Sequence, residues 1–252
     1  MLSVILITKN AAPHIDRCLT AVRWADEIIV VDSGSTDDTL IRCSAYTKHV
    51  FIHTDWQGFG VQKNRALQYA TGDWVLSVDA DEEVTPILQQ AILEAMQNQS
   101  YSAWQLPRLS RYCGRWMRHG GWYPDYVTRL FKRGTAQFSN DLVHEKLMVS
   151  QGKIGQLTTP LLHYSFANLE EVLQKINAYS SASAQMQFAR GKQGGLGKAI
   201  LHALWTFIRT YIIRLGFLEG REGFMLAVSN AEGTYYRYLK LYYYQHNVSD
   251  KT

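Results

Sequence analysis

Residues 72–82 have the sequence GDWVLSVDADE, an apolar run that ends in two aspartates. The run at residues 74–78 has the length and composition of a buried strand. Strand side chains alternate between two faces, so Asp79 and Asp81 are expected to project together where the strand leaves the core. Paired carboxylates suit Mg²⁺ or Mn²⁺, and such ions commonly also hold phosphate oxygens. This stretch therefore predicts a metal site for a substrate that carries a diphosphate.

A second interpretation of the two aspartates is structural. Short carboxylates in loops also cap helices, and Thr85-Pro86 has the pattern of a helix start. The position of the aspartates directly after a buried strand favours the metal site.

Strand and helix patterns alternate through the N-terminal part of the chain. Apolar strands are predicted at residues 4–7, 27–31, 50–53 and 74–78, and helices at residues 12–25, from residue 37, and at residues 61–70. This alternation predicts the α/β class, with a mostly parallel central sheet flanked by helices. Ligands of such folds bind at the carboxyl ends of the strands.

Polar residues follow three of these strands. Residues 8–10 follow the first, Asp32 follows the second, and Asp79 and Asp81 follow the fourth. The three strand ends are expected to meet in one crevice, where Asp32 would accept hydrogen bonds from a base or a ribose. An Asx turn or a helix cap is the alternative role of Asp32.

Composition limits the class of protein and its partners. The 252 residues are 46% hydrophobic and 19% charged, which suits a globular protein with a large core. A net charge of +4 is too small to predict nucleic-acid binding. Cys18, Cys43 and Cys113 show no metal-ligand spacing, so reduced thiols and a cytoplasmic location are expected. The apolar residues 3–8 predict a first core strand and not a signal peptide.

Residues 107–162 are rich in arginine and aromatic side chains. Rings beside planar cations suit sugar and phosphate recognition, which predicts an acceptor site. Arginines that merely cover packed aromatics are the alternative. The residues concerned are Arg108, Arg111, Tyr112, Arg115, Trp116, Arg118, His119, Trp122, Tyr123 and Arg129.

Residues 199–218 are strongly apolar but are interrupted by His202, Arg209 and Arg214. Charged residues near the middle of a membrane-spanning helix are costly, so this segment is not expected to cross a bilayer. We predict an amphipathic helix that lies in the membrane interface. Packing against the N-terminal domain is the alternative.

The expected domain division follows from a glycine-rich break at residues 191–197, which comes after helical character at residues 169–190. Residues 1–190 are predicted to form the α/β domain, and residues 191–252 a C-terminal helical, membrane-associating extension. The oligomeric state is left open.

Four motifs in this order resemble those of the inverting glycosyltransferases of family 2, which have the GT-A fold. They are SVILITKN at residues 3–10, IVVDSGSTD at 29–37, QKNRAL at 62–67 and SVDADE at 77–82. Farther along, VHE at 143–145, LHYSF at 162–166 and the basic, apolar C-terminal part look like the subgroup that builds lipopolysaccharide inner cores. The resemblance implies a nucleotide-diphospho-sugar transferase that moves glucose from UDP-glucose, in β-linkage, to a heptose of that core.

The resemblance also implies roles for individual residues. Asp81 would ligate Mg²⁺ or Mn²⁺, Asp79 would lie at the metal or the ribose, and His163 would be a further metal or diphosphate contact. Nucleotide-sugar contacts are implied for Thr8, Lys9, Asn10, Asp32, Lys63, Asn64 and Asp79. Acceptor contacts are predicted for Trp122, Asp125, Arg129 and His144.

The implied reaction is a single in-line displacement that inverts the anomeric centre. A carboxylate removes the proton of the acceptor hydroxyl while the metal neutralises the leaving group. Glu145 is our choice of base, because it follows a short apolar segment and stands beside His144, which would orient it. Asp125 and Asp141 remain rivals, and a salt bridge is the structural alternative for Glu145.

The implied partners are a UDP-sugar donor, a lipopolysaccharide or lipid-linked saccharide acceptor, and the inner leaflet of the inner membrane, where the protein would be cytoplasmic and peripheral. A sugar nucleotidyltransferase is a competing class, but it would need a glycine-rich loop after the first strand, and residues 8–13 contain no glycine. A non-catalytic binding module is the third class. It would leave Asp79, Asp81 and Glu145 without a chemical role.

Overall fold

The computed structural model describes residues 1–139 and 145–249. The chain forms two compact units. The first unit consists of Met1–Arg108 and Asp125–His163, and the second of Leu109–Pro124 and Tyr164–Thr252. The sequence-based boundary after residue 190 separates a transferase domain from an extension, and it stays a prediction.

Twelve strands and seven α-helices are numbered here in chain order over the described residues. The strands are β1 Leu2–Thr8, β2 Glu27–Asp32, β3 His49–Ile52, β4 Trp74–Asp79, β5 Glu82–Glu83, β6 Tyr101–Tyr112, β7 Arg115–Trp116, β8 Asp125–Lys132, β9 Ala136–Phe138, β10 Leu147–Val149, β11 Lys153–Gln156 and β12 Leu161–Phe166. The α-helices are α1 Ile15–Val22, α2 Thr39–Ser44, α3 Phe59–Tyr69, α4 Pro86–Gln97, α5 Leu169–Ala189, α6 Leu196–Ile208 and α7 Gly220–Ser249.

The main sheet has the strand order β3-β2-β1-β4-β8-β6-β12-β5. The first four strands are parallel, as the alternating pattern predicts. Beyond them β8 pairs antiparallel with β4, and β6 pairs antiparallel with β8. The sheet is therefore mixed, and its parallel part is the half that the alternating strands and helices build.

Both faces of the parallel strands are buried. Leu6 belongs to an apolar cluster with residues of α1 and α4, and its neighbour Ile5 belongs to a second cluster with Ala66 of α3. Adjacent strand residues point to opposite faces, so two clusters mean that helices cover the sheet on both sides. This confirms the flanked α/β sheet.

The end of β4 differs from the sequence-based prediction. The strand ends at Asp79, and Asp81 lies in the turn that follows. Strand alternation therefore does not fix the direction of Asp81, and the two carboxylates contact different partners. The predicted helix start is confirmed: Thr85 accepts a hydrogen bond from the N–H of Leu88, and Pro86 is the first residue of α4.

The second unit is mainly helical. Helix α7 packs against both α5 and α6, and Lys240 of α7 donates hydrogen bonds to Asn177 and Ser180 of α5. A Cβ at Gly194 would lie 2.3 Å from the backbone nitrogen of Tyr242, so the glycine permits a close approach of the chain to α7. None of the helices among the described residues is long and apolar enough to cross a membrane.

Candidate active site

The polar strand ends lie side by side in the sheet. Thr8 is in register with Asp32, and Ile7 is in register with Asp79. Because β2, β1 and β4 are adjacent and parallel, their carboxyl ends form one edge, which is where such folds bind ligands. The structure therefore brings the three predicted strand ends together, and their role as a binding site stays a prediction.

The loop after β2 is organised by Asp32. Its buried carboxylate accepts hydrogen bonds from the backbone N–H groups of Gly34 and Ser35, both at 2.8 Å, and from the Ser35 hydroxyl at 2.5 Å. Gly34 has a φ of +86°, a conformation that glycine adopts without strain. Asp32 thus forms the turn that was its alternative role, and its contact with a base stays a prediction.

Asn10 joins the loops after β1 and β2. Its side-chain oxygen accepts the N–H of Thr36 at 2.8 Å, and its own N–H donates to the Ser35 hydroxyl at 2.8 Å. Thr8 is buried, and its hydroxyl has no hydrogen-bond partner within the described part of the chain. A buried hydroxyl without a partner is costly, and a bound ligand or water can satisfy it. Lys9 is exposed at the same strand end.

A network of buried charges surrounds Asp79. Lys63 of α3 lies 3.0 Å from one carboxylate oxygen of Asp79, and Arg129 of β8 donates to the other. Arg129 also donates to Glu82 at 2.6 Å, and the second oxygen of Glu82 accepts the N–H of Asp79 at 2.9 Å. Two cations and two carboxylates from four separate segments therefore compensate one another under the end of β4.

The network fixes the charge state of Asp79. Burial alone would raise the pKa of this carboxyl, but the charges of Arg129 and Lys63 outweigh burial and hold that pKa far below its ordinary value. Burial raises the pKa of Glu82 above its ordinary value, with Arg129 opposing the shift. Asp79 is accordingly the firmly ionised member of the two.

Glu145 lies at the other side of Lys63, whose ammonium donates to it at 2.7 Å. The antiparallel pair β9 and β10 carries Glu145 just before β10. A Cβ at Gly60 would lie 1.8 Å from the carbonyl oxygen of Ser139 and 3.5 Å from Cβ of Glu145. The missing side chain at Gly60 therefore lets this segment pack directly on α3, where Glu145 reaches Lys63.

Asp81 lies beside His163. One of its carboxylate oxygens is 3.4 Å from Nε2 of His163. His163 lies on β12, where it is in register with Glu82 of β5, and this pairing places it next to Asp81. Among the residues that the structure describes, no group of three or more His, Cys, Asp or Glu side chains is arranged to hold a metal ion. These residues fit an ion that takes only one or two protein ligands and completes its shell with phosphate oxygens and water, as Mg²⁺ commonly does. Asp81 fits this role better than Asp79, whose two oxygens already contact cations.

The other predicted site residues have structural contacts of their own. Asn64 bonds both the N–H and the carbonyl of Phe138, so it anchors β9 to α3. Asp125 accepts two hydrogen bonds from Arg108, at 3.0 and 2.6 Å. Trp122 packs edge-on against Tyr112 at 5.6 Å within the second unit.

Several predictions for this region stay untested. Arg129 is buried and bound to two carboxylates, and its predicted acceptor contact stays a prediction, like those of Asp125 and Trp122. Asp141 and His144 lie outside the described residues.

Sequence reasoning missed two structural members of this site. Glu82 is fully buried in the network, and Gln62 of α3 donates to the Ser33 hydroxyl at 2.9 Å and to the His53 carbonyl at 3.0 Å. Glu82 belongs to the same sequence motif as Asp79 and Asp81, and this was the feature that could have identified it as a member of the site. Its inward direction depends on the pairing of β5 with β12, and no local pattern indicates that pairing.

Comparison with known proteins identifies the family and supports the fold. Residues 3–149 match the family model described as glycosyl transferase family 2. The chain belongs to glycosyltransferase family 2, and it is a glycosyltransferase with the GT-A fold.

Similar proteins cover most of the chain. It is 32% identical over 252 residues to an uncharacterized glycosyltransferase of Rickettsia prowazekii, which covers 95% of this chain and 86% of the relative. It is 28% identical over 253 residues to the lipopolysaccharide core biosynthesis glycosyltransferase LpsC of Rhizobium meliloti, over 96% of this chain and 92% of the relative. The solved structure of the mannosyltransferase PcManGT from Pyrobaculum calidifontis, in complex with GDP-Man and Mn²⁺, has a TM-score of 0.53 at 16% identity, over 92% of this chain and 73% of that one. This last likeness concerns the fold alone.

Proposed function

We propose that the protein transfers glucose from UDP-glucose, in β-linkage, to a heptose of the lipopolysaccharide inner core by a single inverting displacement. The observation that carries the displacement chemistry is the position of Lys63 between Asp79 and Glu145. One lysine links the strand-end aspartate, on the donor side, to the carboxylate chosen as base. A displacement needs these two groups close together, since the leaving group and the attacking hydroxyl act on one carbon.

Glu145 acts as the general base. The acceptor oxygen forms its bond to the anomeric carbon as the bond from that carbon to the diphosphate oxygen breaks, and the hydroxyl proton passes to Glu145. A carboxylate offers about four lone-pair sites, so the one contact from Lys63 leaves capacity to accept this proton. Attack opposite to the leaving group inverts the anomeric configuration.

Asp81 and His163 would hold a divalent metal beside the donor diphosphate. Mg²⁺ or Mn²⁺ bound there supplies positive charge for the leaving diphosphate. Asp79, kept ionised by Lys63 and Arg129, accepts a hydrogen bond from the ribose. Thr8 and Asn10 contact the nucleoside, and the partnerless hydroxyl of Thr8 gains a partner there.

The acceptor class is supported by the relative LpsC, whose name assigns it to lipopolysaccharide core biosynthesis. The chain would work on the cytoplasmic side of the inner membrane, where it meets a lipid-linked acceptor. The alternative within the same class is another nucleotide sugar or another lipid-linked or polysaccharide acceptor, since one or two loop contacts can separate sugars that differ by single groups. A nucleotidyltransferase loses support because the chain matches a glycosyltransferase family over residues 3–149.

The test is UDP release from a panel of UDP-sugars with Mg²⁺, with and without heptose-terminated lipopolysaccharide. We expect release from UDP-glucose that depends on the acceptor, and a product of inverted configuration. Acceptor-dependent release from a different donor would replace glucose in this proposal. Full activity in EDTA would overturn the metal role.

Glu145→Gln tests the base. It should lower kcat by about 10²- to 10⁴-fold, the usual contribution of a general base, and leave binding of UDP nearly unchanged. Glu94→Gln, an exposed carboxylate of α4, is the matched control and should retain full activity. If Asp125→Asn lowers kcat more than Glu145→Gln does, Asp125 is the base instead.

A further inference from the structure

Helix α6 and the residues that follow it expose many large apolar side chains. Each of them is at least 44% exposed. We call this set the apolar stripe: Leu196, Ile200, Leu201, Leu204, Trp205, Ile212, Ile213, Leu215, Phe217 and Leu218. Single exposed apolar residues are ordinary, but such a concentration on consecutive turns marks an interaction surface.

The stripe lies on the side of α6 that its neighbouring helix does not cover. Ala199 is buried, and the hydroxyl of Thr206 lies 3.3 Å from that of Thr234 of α7. These positions define the covered side of α6. Leu201, Leu204 and Trp205 stand roughly opposite to it at 100° per residue. Packing within the second unit therefore leaves this face of α6 open.

Charge identifies the partner. The sequence has no Asp or Glu between Glu171 and Glu219. The same segment contains six basic residues: Lys175, Arg190, Lys192, Lys198, Arg209 and Arg214. A segment whose Lys and Arg residues are its only charged side chains, and which also exposes apolar side chains, complements anionic lipid headgroups above acyl chains.

Two basic residues of α6 and one directly after it are placed as such a contact requires. Lys198, His202 and Arg209 are four and seven residues apart, so they share one flank of the helix beside the apolar stripe. Lys198 and Arg209 are exposed. A helix with one apolar side and a basic flank lies flat in the interface, with its charges at headgroup level.

We propose that the apolar stripe docks on an anionic lipid bilayer, with α6 parallel to the membrane plane. The stripe enters the boundary of the acyl chains, and Lys198 and Arg209 contact lipid phosphates. A second copy of the chain fits this surface less well, because the two faces would bring like charges together. The inference is independent of which sugar is transferred.

Vesicle co-sedimentation of the full chain tests the proposal. We expect binding to vesicles of phosphatidylcholine mixed with an equal amount of phosphatidylglycerol, weaker binding at high salt, and little binding to phosphatidylcholine alone. The double variant Leu201→Ser with Leu204→Ser should bind the anionic vesicles about tenfold more weakly or worse. The double variant Lys198→Glu with Arg209→Glu should also lose about tenfold or more.

Ile41→Ser is the matched control, because Ile41 is 74% exposed in the first unit and should not affect vesicle binding. Circular dichroism establishes that each variant is folded. Wild-type protein that binds neither kind of vesicle would overturn the proposal, as would serine variants that bind like wild type. Light scattering tests whether a second copy of the chain is the partner instead. If the wild-type protein is a dimer, the leucine variant is a monomer and neither binds lipid, the stripe is a dimer interface. Vesicle binding is measured without catalytic turnover, so its result is independent of whether the proposed reaction is correct.

Discussion

The two compact units differ in which costly groups they concentrate. The first unit buries charge, since Glu82 and Arg129 are 2% and 6% exposed. The second unit exposes apolar surface, as at Leu201, which is 69% exposed. Buried charges are stable only when paired, and exposed apolar surface persists at a cost until a partner covers it. The first unit pairs its buried charges within its own fold, whereas the apolar stripe stays largely exposed in the part of the second unit that the structure describes.

Arg129→Met gives the largest effect expected on stability. It removes one cation from the network and leaves the half-buried Asp79 and the buried Glu82 with less compensation. Breaking a buried ion pair from one side costs about 3–5 kcal/mol of unfolding free energy. Urea unfolding followed by circular dichroism measures the loss.

The control for this prediction is Arg42→Met, which removes an exposed ion pair with Asp16. Exposed pairs contribute about 0–1 kcal/mol, so this variant should be nearly as stable as wild type. Adding Glu82→Gln to Arg129→Met should restore part of the stability, because it neutralises one of the carboxylates left behind. Equal losses in the two arginine variants would refute the idea that the first unit depends on compensated charge.

Glu219→Gln tests a buried carboxylate that bonds to separate segments of the second unit. Glu219 accepts hydrogen bonds from the N–H groups of Arg118 and His119 at 2.8 Å, and from the Arg115 side chain at 2.8 Å. Bonds to a charged group contribute about 1.5–3 kcal/mol, so the substitution should lower the unfolding free energy by an amount in that range.

The effect of Glu219→Gln should depend on pH. Burial alone would raise the pKa of Glu219, but bonds from Arg115, His119 and the backbone outweigh it, so the pKa lies below its ordinary value of 4.5. A carboxylate with a lower pKa in the folded state stabilises above its unfolded pKa, and this stabilisation is lost as pH falls through the folded pKa. The difference between wild type and variant should therefore be full at neutral pH and shrink below about pH 4.5. A constant difference down to low pH would contradict this account.

Leu204→Ser is expected to have the smallest effect. Leu204 is 56% exposed, and exposed substitutions away from special features usually change stability by no more than about 0.5 kcal/mol. Leu226→Ala is the contrast, because Leu226 is 1% exposed in the core of the second unit and its truncation should cost about 2–5 kcal/mol. Thermal unfolding compares the two variants. A large loss for Leu204→Ser would mean that the stripe packs inside the protein.

Much of the fold follows from local patterns. The predicted strands at residues 4–7, 27–31 and 74–78 correspond to β1, β2 and β4, because short apolar runs have few alternatives in a covered sheet. Asp79 ends its strand as predicted, but Asp81 does not continue it. For the region of β6 and β8 the sequence predicted only short strands. It did not predict the length of β6 or its antiparallel pairing with β8, because no periodic pattern indicates which strands become antiparallel partners.

The sequence by itself determined the α/β order, the polar strand ends at Asp32 and Asp79, and the glycosyltransferase family. These are local properties: apolar periodicity, chain order and motif spacing. Only the tertiary structure decided that Lys63 contacts both Asp79 and Glu145, which are 66 residues apart in the chain. It also decided that Arg129 lies between Asp79 and Glu82. Such contacts depend on which strands become neighbours, and that choice is made by the packing of the whole sheet.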